Sequence, residues 1–470
     1  MLELRRTKII ATIGPSCSSY EIIYLLIEEG VNVFRINCSH GKKEDYVSYI
    51  RDIRKAADAQ KKVVSILVDL QGPKIRIGFI KNDSIILKTG ASLILTEKEI
   101  IGDENGVYVS CPHLNEEVPI GSLILLDDGK IELKAESKLE DGLLCKVLVG
   151  GELKSKKGIN FPGVVLHKTT SLTAKDKDDL IFALEQNVDF VAISFVQRAS
   201  DVLDVKQIIS ENKAETPVIA KIEKQEAFKN ISSIISVSDG ILIARGDLGV
   251  EFPLEEVPIV QKNIIKLCNL VGKPSIIATQ MLDSMVHSHR PTRAEVTDIA
   301  NGIFDLADAL MVTNETAVGE YPVDVIKTMA KIALRTEKEL DFCTSIEWQA
   351  SNIEQAIGRV TCELAHVLKT TAIITATQSG RTAQQVARYR PSVPIIAATP
   401  LLKTYKELSL IWGVYPIIIP KTDDTNAMIK VIIEKAKKEK LLTDGDSVII
   451  TAGMAVGISG TTNMIKVEVV

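Results

Sequence analysis

Long runs of one charge are missing from this chain of 470 residues, whose 56 Lys and Arg nearly balance 61 Asp and Glu to leave a net charge of −5. Nucleic acid or an anionic membrane surface would select clustered basic residues, so neither is indicated as a partner. No apolar run approaches the roughly 18 residues needed to span a bilayer. The seven cysteines form no CxxC pair and no short spacing with His, and their number is odd. That pattern disfavours a disulfide framework and fits free thiols in a reducing compartment. There is no GxxxxGKS/T loop, so a bound nucleotide has to be held in some other way. Repeats of short period and low-complexity segments are also lacking. The expectation is a soluble cytoplasmic protein whose partners are small molecules or other subunits, long enough for about three domains of ~100–200 residues each.

What the chain does have is a series of short Val- and Ile-rich runs bounded by polar turns and separated by amphipathic stretches, the texture of parallel strands buried on both faces. They are TKIIATIG, VNVFRIN, VVSILVD, VDFVAISF, PVIAKIE, GILIARGD, PSIIATQM and ALMVTNE. Eight such runs close a (β/α)8 TIM barrel. Between the third and fourth, over residues 71–170, period-2 segments such as SLILTEK and LLCKVLVGG indicate an inserted antiparallel β domain. After residue 343 a helix pattern is followed by TAIITAT, VPIIAAT, VYPIIIP, DSVIITA and NMIKVEVV, which reads as a C-terminal open α/β domain over 344–470. The barrel then comprises 1–70 and 171–343.

Barrel enzymes place their chemistry at the carboxyl ends of the strands. Here those ends carry Arg35, Asn37 and Ser39; Asp69; Ser194; Lys221 and Glu223; Arg245 and Asp247; and Thr279. Charges at the end of a buried strand are costly unless paired, bound to metal or facing a cleft, and their recurrence on several strands favours one shared cleft. Alternation puts Lys221 and Glu223 on one strand face. Glu223 and Asp247 are hard oxygen donors suited to Mg²⁺ or Mn²⁺. ARGDLGVE, at 244–251, is either a glycine turn entering a helix or a set of amides that hold an anion. The chemistry that uses this set is phosphoryl transfer with an enolate on one side, Arg35 facing phosphoryl oxygens and Lys221 stabilising negative charge as it develops. A metal-dependent aldolase or lyase acting through an oxo-acid enolate would use many of the same groups. His287 and His289 form an HxH without a third ligand and read as a solvated loop, and Cys17 and Cys38 as points of thiol sensitivity.

With these residues assembled, the chain resembles the pyruvate kinase family over essentially its full length. The motifs are KIIATIGPS, FRINCSHG, GPKIRIG, AKIEKQEA, ARGDLGVE, ATQML with RPTRAEVTDIANG, and NETAVGEYP, in the family's order. The resemblance implies transfer of the phosphoryl group of phosphoenolpyruvate to ADP. It implies that Lys221 stabilises the enolate, that Glu223 and Asp247 bind Mg²⁺ and that Arg35 contacts the phosphoryl group. The amides of Arg245, Gly246 and Asp247 would hold the substrate carboxylate, and Thr279 would help deliver the proton. Arg76, Asn37, His40 and Lys157 would serve the nucleotide, and the inserted domain would close as a lid.

Departures from the family pattern are Cys38 in place of Phe, and Thr313 and Asn314 in place of Ser-Gly. The stretch DLQGPKIRIG, at 69–78, holds another. Relatives that need potassium bind it with residues matching Asn37, Ser39, Asp69 and the carbonyl at position 70, and carry Thr at Leu70 and an acid at Lys74. An ammonium in place of that acid repels a bound monovalent cation, by several kcal/mol in a partly desolvated cleft on an order-of-magnitude estimate. Lys74 is therefore expected to stand in for potassium. In the C-terminal domain, TATQSGRTAQQVARY resembles the family's effector-phosphate loop, with Thr377, Ser379, Gly380, Arg381 and Thr382 as donors to a phosphorylated metabolite. TAGMAVGISGTTN, at 451–463, resembles the loop that covers the effector, and the family is usually tetrameric.

Overall fold

The computed structural model describes residues 4–166, 171–340, 342, 352–422, 424–453 and 462–470. Each of the eight anticipated runs forms a strand of four or five residues: β1 Lys8–Thr12, β2 Val33–Asn37, β3 Ser65–Asp69, β4 Phe190–Ile193, β5 Val218–Ile222, β6 Gly240–Ala244, β7 Ser275–Ala278 and β8 Ala309–Val312. They pair in parallel and in sequence, with β8 closing on β1, so the barrel is complete. Both faces are buried: Ile10, Leu67, Ile219, Leu242 and Ile276 fill the interior, while Ile9, Ile36, Ile66 and Ile243 pack against the outer helices. The register sets both Asn37 and Ala192 beside Asp69 at the upper rim.

The inserted segment folds on its own apolar cluster, which includes Leu93, Leu95, Ile124, Leu133, Cys145 and Phe161. Its main sheet has six strands, ordered Ile159–Asn160, Leu123–Leu126, Ile131–Leu139, Gly142–Val149, Ser92–Thr96 and Gly106–Tyr108, all antiparallel neighbours except the last pair. The chain leaves the barrel through Gly72, at φ +70°, where an added Cβ would meet Phe195 and Ser194 at 2.8 Å. Only glycine takes that turn without strain. Its amide donates to Asp176 Oδ1 at 2.9 Å, and Asp176 Oδ2 accepts from the N-cap Thr173 of the first helix after the insertion, Ala174–Glu185. The exit from the barrel and the return to it are thus tied together.

The C-terminal sheet runs Val414–Ile418, Ile395–Thr399, Ala372–Ala376, Ser447–Gly453 and Thr462–Val469, parallel except for the last strand. It docks under the barrel. Arg390 pairs with Asp308 at 2.9 Å with both side chains buried, Lys8 Nζ donates to Val414 O at 2.6 Å, and Tyr415 OH donates to Arg5 O at 2.6 Å. Among the described residues no helix is long and apolar enough to cross a membrane.

Candidate active site

Four strands converge their last side chains on one charged chain of contacts. Asp69, fully buried at the end of β3, accepts from Nε and Nη2 of Arg35 at 2.7 Å each through Oδ2, and its Oδ1 lies 3.3 Å from Lys221 Nζ. Lys221 reaches on to Glu223 Oε1 at 3.0 Å and donates to Ser194 Oγ at 2.7 Å. Ser194 in turn donates to Leu70 O at 2.8 Å, and Glu223 Oε2 accepts from the Phe195 amide at 2.7 Å. Arg35 is steadied from its other side by Thr12 Oγ1 at 3.1 Å. Each buried charge has an opposite partner and neutral hydrogen bonds, which is the condition for tolerating it.

The electrostatics follow from that pairing. Burial acts to raise the Asp69 carboxyl, but the Lys221 and Arg35 charges outweigh it and hold the group below the ordinary aspartate range. Burial acts to lower Lys221, and Asp69 and Glu223 outweigh it, so the ammonium is held above the usual lysine value. Glu223 goes the other way: burial, with repulsion from Asp247, lifts its carboxyl above the usual value in spite of Lys221.

Asp247 sits one turn into the short helix Arg245–Glu251, and Lys74 Nζ approaches its Oδ1 at 3.7 Å. The Lys74 ammonium thus lies on the Asp247 side, while Asp69 is occupied by Arg35 and Lys221. The Arg245 guanidinium turns under the rim, pairing with Asp298 at 2.7 Å and donating to Thr279 O at 2.9 Å. Thr279 has φ +71° and Gln280 φ +54°. A β-branched residue in that region is strained, and such strain gathers at functional sites. The turn points Thr279 Oγ1 at the Gly246 amide, which donates to it at 2.8 Å. A substrate carboxylate using that amide would have to displace the hydroxyl.

Asn37 Oδ1 accepts from the Ser39 amide at 3.1 Å, and His40 is exposed, its amide bonded to Asn37 O at 3.3 Å. Lys175, which strand-end reasoning missed, donates to Cys38 O at 2.6 Å and pairs with Asp179 at 2.5 Å, adding a cation beside this loop. Its signal in the sequence is slight: one Lys in the first turn of a helix. On the inserted domain, Arg76 donates to Lys156 O at 3.0 Å, and Lys157 pairs with Asp127 at 2.8 Å. Arg76 bridges to Gly158, so the two cations lie on adjacent segments of the inserted domain. At the departures, Thr313 turns its hydroxyl onto Glu315 Oε2 at 3.2 Å. Cys38 is buried, and burial first, then Asp179 and Asp69, push its thiol up to about 12. Cys17 is likewise buried, at about 11. This corrects the expectation of thiol sensitivity at both. His287 and His289 each face their own carboxylate, Glu320 at 2.9 Å and Asp324 at 3.7 Å, on the surface. Among the described residues no three His, Cys, Asp or Glu gather to hold a metal.

In the C-terminal domain Thr377 and Thr382 are buried, Gly380 has φ +78°, Arg381 pairs with Glu354 at 2.7 Å, and Thr382 Oγ1 meets Thr462 Oγ1 at 2.7 Å. Most of the covering loop, residues 454–461, lies outside the described residues.

The barrel-domain model of pyruvate kinase matches residues 4–326, and its alpha/beta-domain model matches 355–468. The chain belongs to the pyruvate kinase family. It is 45% identical over 473 residues to a pyruvate kinase of Geobacillus stearothermophilus, covering 99% of this chain and 80% of that one. To pyruvate kinase 2 of a Synechocystis strain it is 46% identical over 470 residues, covering 99% and 79%. A crystal structure of a pyruvate kinase from Cryptosporidium parvum superposes with a TM-score of 0.93 at 37% identity, covering 99% of this chain and 96% of that one. Membership makes the protein a phosphotransferase, with phosphoenolpyruvate and ADP as the substrates the family implies, and it removes the aldolase or lyase reading.

Proposed function

We propose that the charged chain Arg35–Asp69–Lys221–Glu223 is the catalytic centre and that Lys74 relieves it of any need for potassium. The observation that carries this reading is Lys221, an ammonium held between two carboxylates and a hydroxyl at the end of β5. Its charge is fixed in place before negative charge develops on the enolate, so little reorganisation is needed at the transition state. Arg35, braced by Asp69, faces the transferring phosphoryl group. Thr279 hands on the proton, and the amides of Arg245, Gly246 and Asp247 hold the substrate carboxylate. Asn37, His40, Arg76 and Lys157 contact the nucleotide, joined by Lys175.

A divalent cation fits the residues present. Glu223 is a buried carboxylate whose charge is disfavoured by burial and by Asp247, and a dication between the two would relieve both. Glu223 and Asp247 would hold Mg²⁺ or Mn²⁺, with substrate oxygens completing its shell, and the ion would supply Lewis-acid stabilisation of those oxygens.

Of the groups proposed for a monovalent pocket, Asn37, Ser39, Asp69 and the Leu70 carbonyl, Leu70 O already accepts from Ser194 and Asp69 is paired with two cations. Lys74 adds a third positive charge to the cleft, against Asp247. These contacts support potassium independence. We further assign 1–70 with 171–343 to the catalytic barrel, 71–170 to the lid and 344–470 to a regulatory domain in which Thr377, Ser379, Gly380, Arg381 and Thr382 bind a phosphorylated activator. A cytoplasmic homotetramer is the proposed working form.

The test is a coupled assay of pyruvate formation from phosphoenolpyruvate and ADP. Lys221→Met is expected to lower kcat by two or more orders of magnitude, on the scale of losing a preorganised charge, with little change in KM. Full activity in the variant would remove the assignment.

A further inference from the structure

The short helix Leu402–Glu407 of the C-terminal domain touches both the 377–382 loop and the floor of the barrel. On one side Thr404 Oγ1 donates to Gln378 O at 2.5 Å. On the other, Lys406 pairs with Asp189 at 3.3 Å and Lys403 with Glu215 at 2.7 Å, while Lys406 O accepts from Ser65 Oγ at 2.8 Å. Just beyond the helix, Ser409 donates to that same Ser65 hydroxyl at 2.9 Å. These barrel residues lie at the lower ends of a particular set of strands. Ser65 starts β3, Asp189 precedes β4 and Glu215 precedes β5. Asp239, paired with Lys206 at 2.8 Å, precedes β6. The upper ends of those four strands carry Asp69, Ser194, Lys221 with Glu223, and Arg245 to Asp247.

Two cavities, of about 590 and 570 Å³, flank the helix and share Lys403, Glu407 and the segment 214–217 as walls; Gln378 and Ser379 line the first. Glu407 is the group left over. Its carboxylate is mostly buried, its nearest cation is Lys403 at 3.8 Å, and Lys403 already serves Glu215. Facing it across the junction are the carboxylates of Asp239, Asp189 and Glu215, with Lys206 and Lys406 committed to Asp239 and Asp189.

We propose that the helix Leu402–Glu407 is a proton-controlled clasp, seated on the barrel floor while Glu407 is protonated and loosened from the feet of β3 to β6 when that proton leaves. The position of Glu407 supports this: burial first, opposed by Lys403 and reinforced by Asp239, Asp189 and Glu215, raises its carboxyl to about 7. A carboxyl raised in the seated state and ordinary in the open one binds more protons when seated. Seating is therefore favoured below neutral pH and weakens as pH rises through the raised value. Because the clasp joins the 377–382 loop to the strands of the catalytic centre, anything that reseats it from the C-terminal side acts on the same four strands.

Hydrogen exchange on the full chain, corrected for the intrinsic effect of pH, tests this. For an ordinary value near 4.5 in the open state and about 7 in the seated state, the opening equilibrium of the helix rises about tenfold between pH 6 and pH 8. In Glu407→Gln it is expected to change less than about twofold over the same interval. Lys403→Met, which removes the nearest cation, is expected to move the transition to higher pH. Equal responses in wild type and Glu407→Gln would overturn the proposal. Should that variant fail to fold, a wild-type profile without a transition between pH 6 and pH 8 would overturn it equally.

Discussion

Asp69 Oδ1 lies 3.3 Å from Lys221 Nζ while its Oδ2 is shared by two nitrogens of Arg35, so a single buried carboxylate separates these two cations. Replacing it by Asn keeps the shape and removes the charge. Breaking a buried pair in this way costs about 3–5 kcal/mol, because the partners are left uncompensated. Asp69→Asn is expected to lower the thermal midpoint of the barrel clearly and to lower kcat by more than tenfold. The wild-type pH dependence has a definite sign. The folded carboxyl titrates below its ordinary value of 3.8. Its stabilisation is present above that value and is lost as acid passes through the lower, folded one.

Glu223 gives the opposite sign. Its folded carboxyl is lifted by burial, so protons compete for it at higher pH than for a surface glutamate. A metal needs the ionised form. Calorimetric titration with magnesium chloride is expected to show binding that weakens as the pH falls, and Glu223→Gln is expected to lose both the binding and its pH dependence.

Gly72 is the turn into the inserted domain, proposed above as a lid. Alanine there carries a left-handed penalty of about 1–2 kcal/mol in addition to its clash with Phe195 and Ser194. Gly72→Ala is expected to lower kcat severalfold through lid closure and through Ser194, which positions Lys221. A variant with unchanged kcat and stability would show that the turn has room to relax.

Cys17 and Cys38, at about 11 and about 12, hold on the order of one thiolate in ten thousand or fewer near neutral pH. Mass mapping after treatment of the native protein with a thiol reagent is expected to find both unlabelled, and labelled after denaturation.

The barrel was legible because each strand carries its own pattern: a buried apolar run that ends in a polar residue. Arg35, Asp69, Lys221 and Glu223 could be placed together from strand ends alone. What the sequence hid depends on side-chain direction and on distant partners. Nothing in ARGDLGVE says that the Arg245 side chain turns under the rim to Asp298, or that Thr279 takes the Gly246 amide. Lys175 lies more than a hundred residues from the loop whose carbonyl it holds. Glu407 reads as an ordinary surface charge on a helix until the barrel floor brings three other carboxylates against it.

This enzyme is proposed to carry its monovalent cation in its own chain, as Lys74. Steady-state activity measured in buffers free of potassium and ammonium tests it most directly. Wild type is expected to be fully active there and to change less than about twofold on adding potassium chloride, while Lys74→Glu, which replaces the ammonium by an acid, acquires a potassium requirement. Activation of the wild type by more than about tenfold would rule out Lys74 as the substitute for potassium.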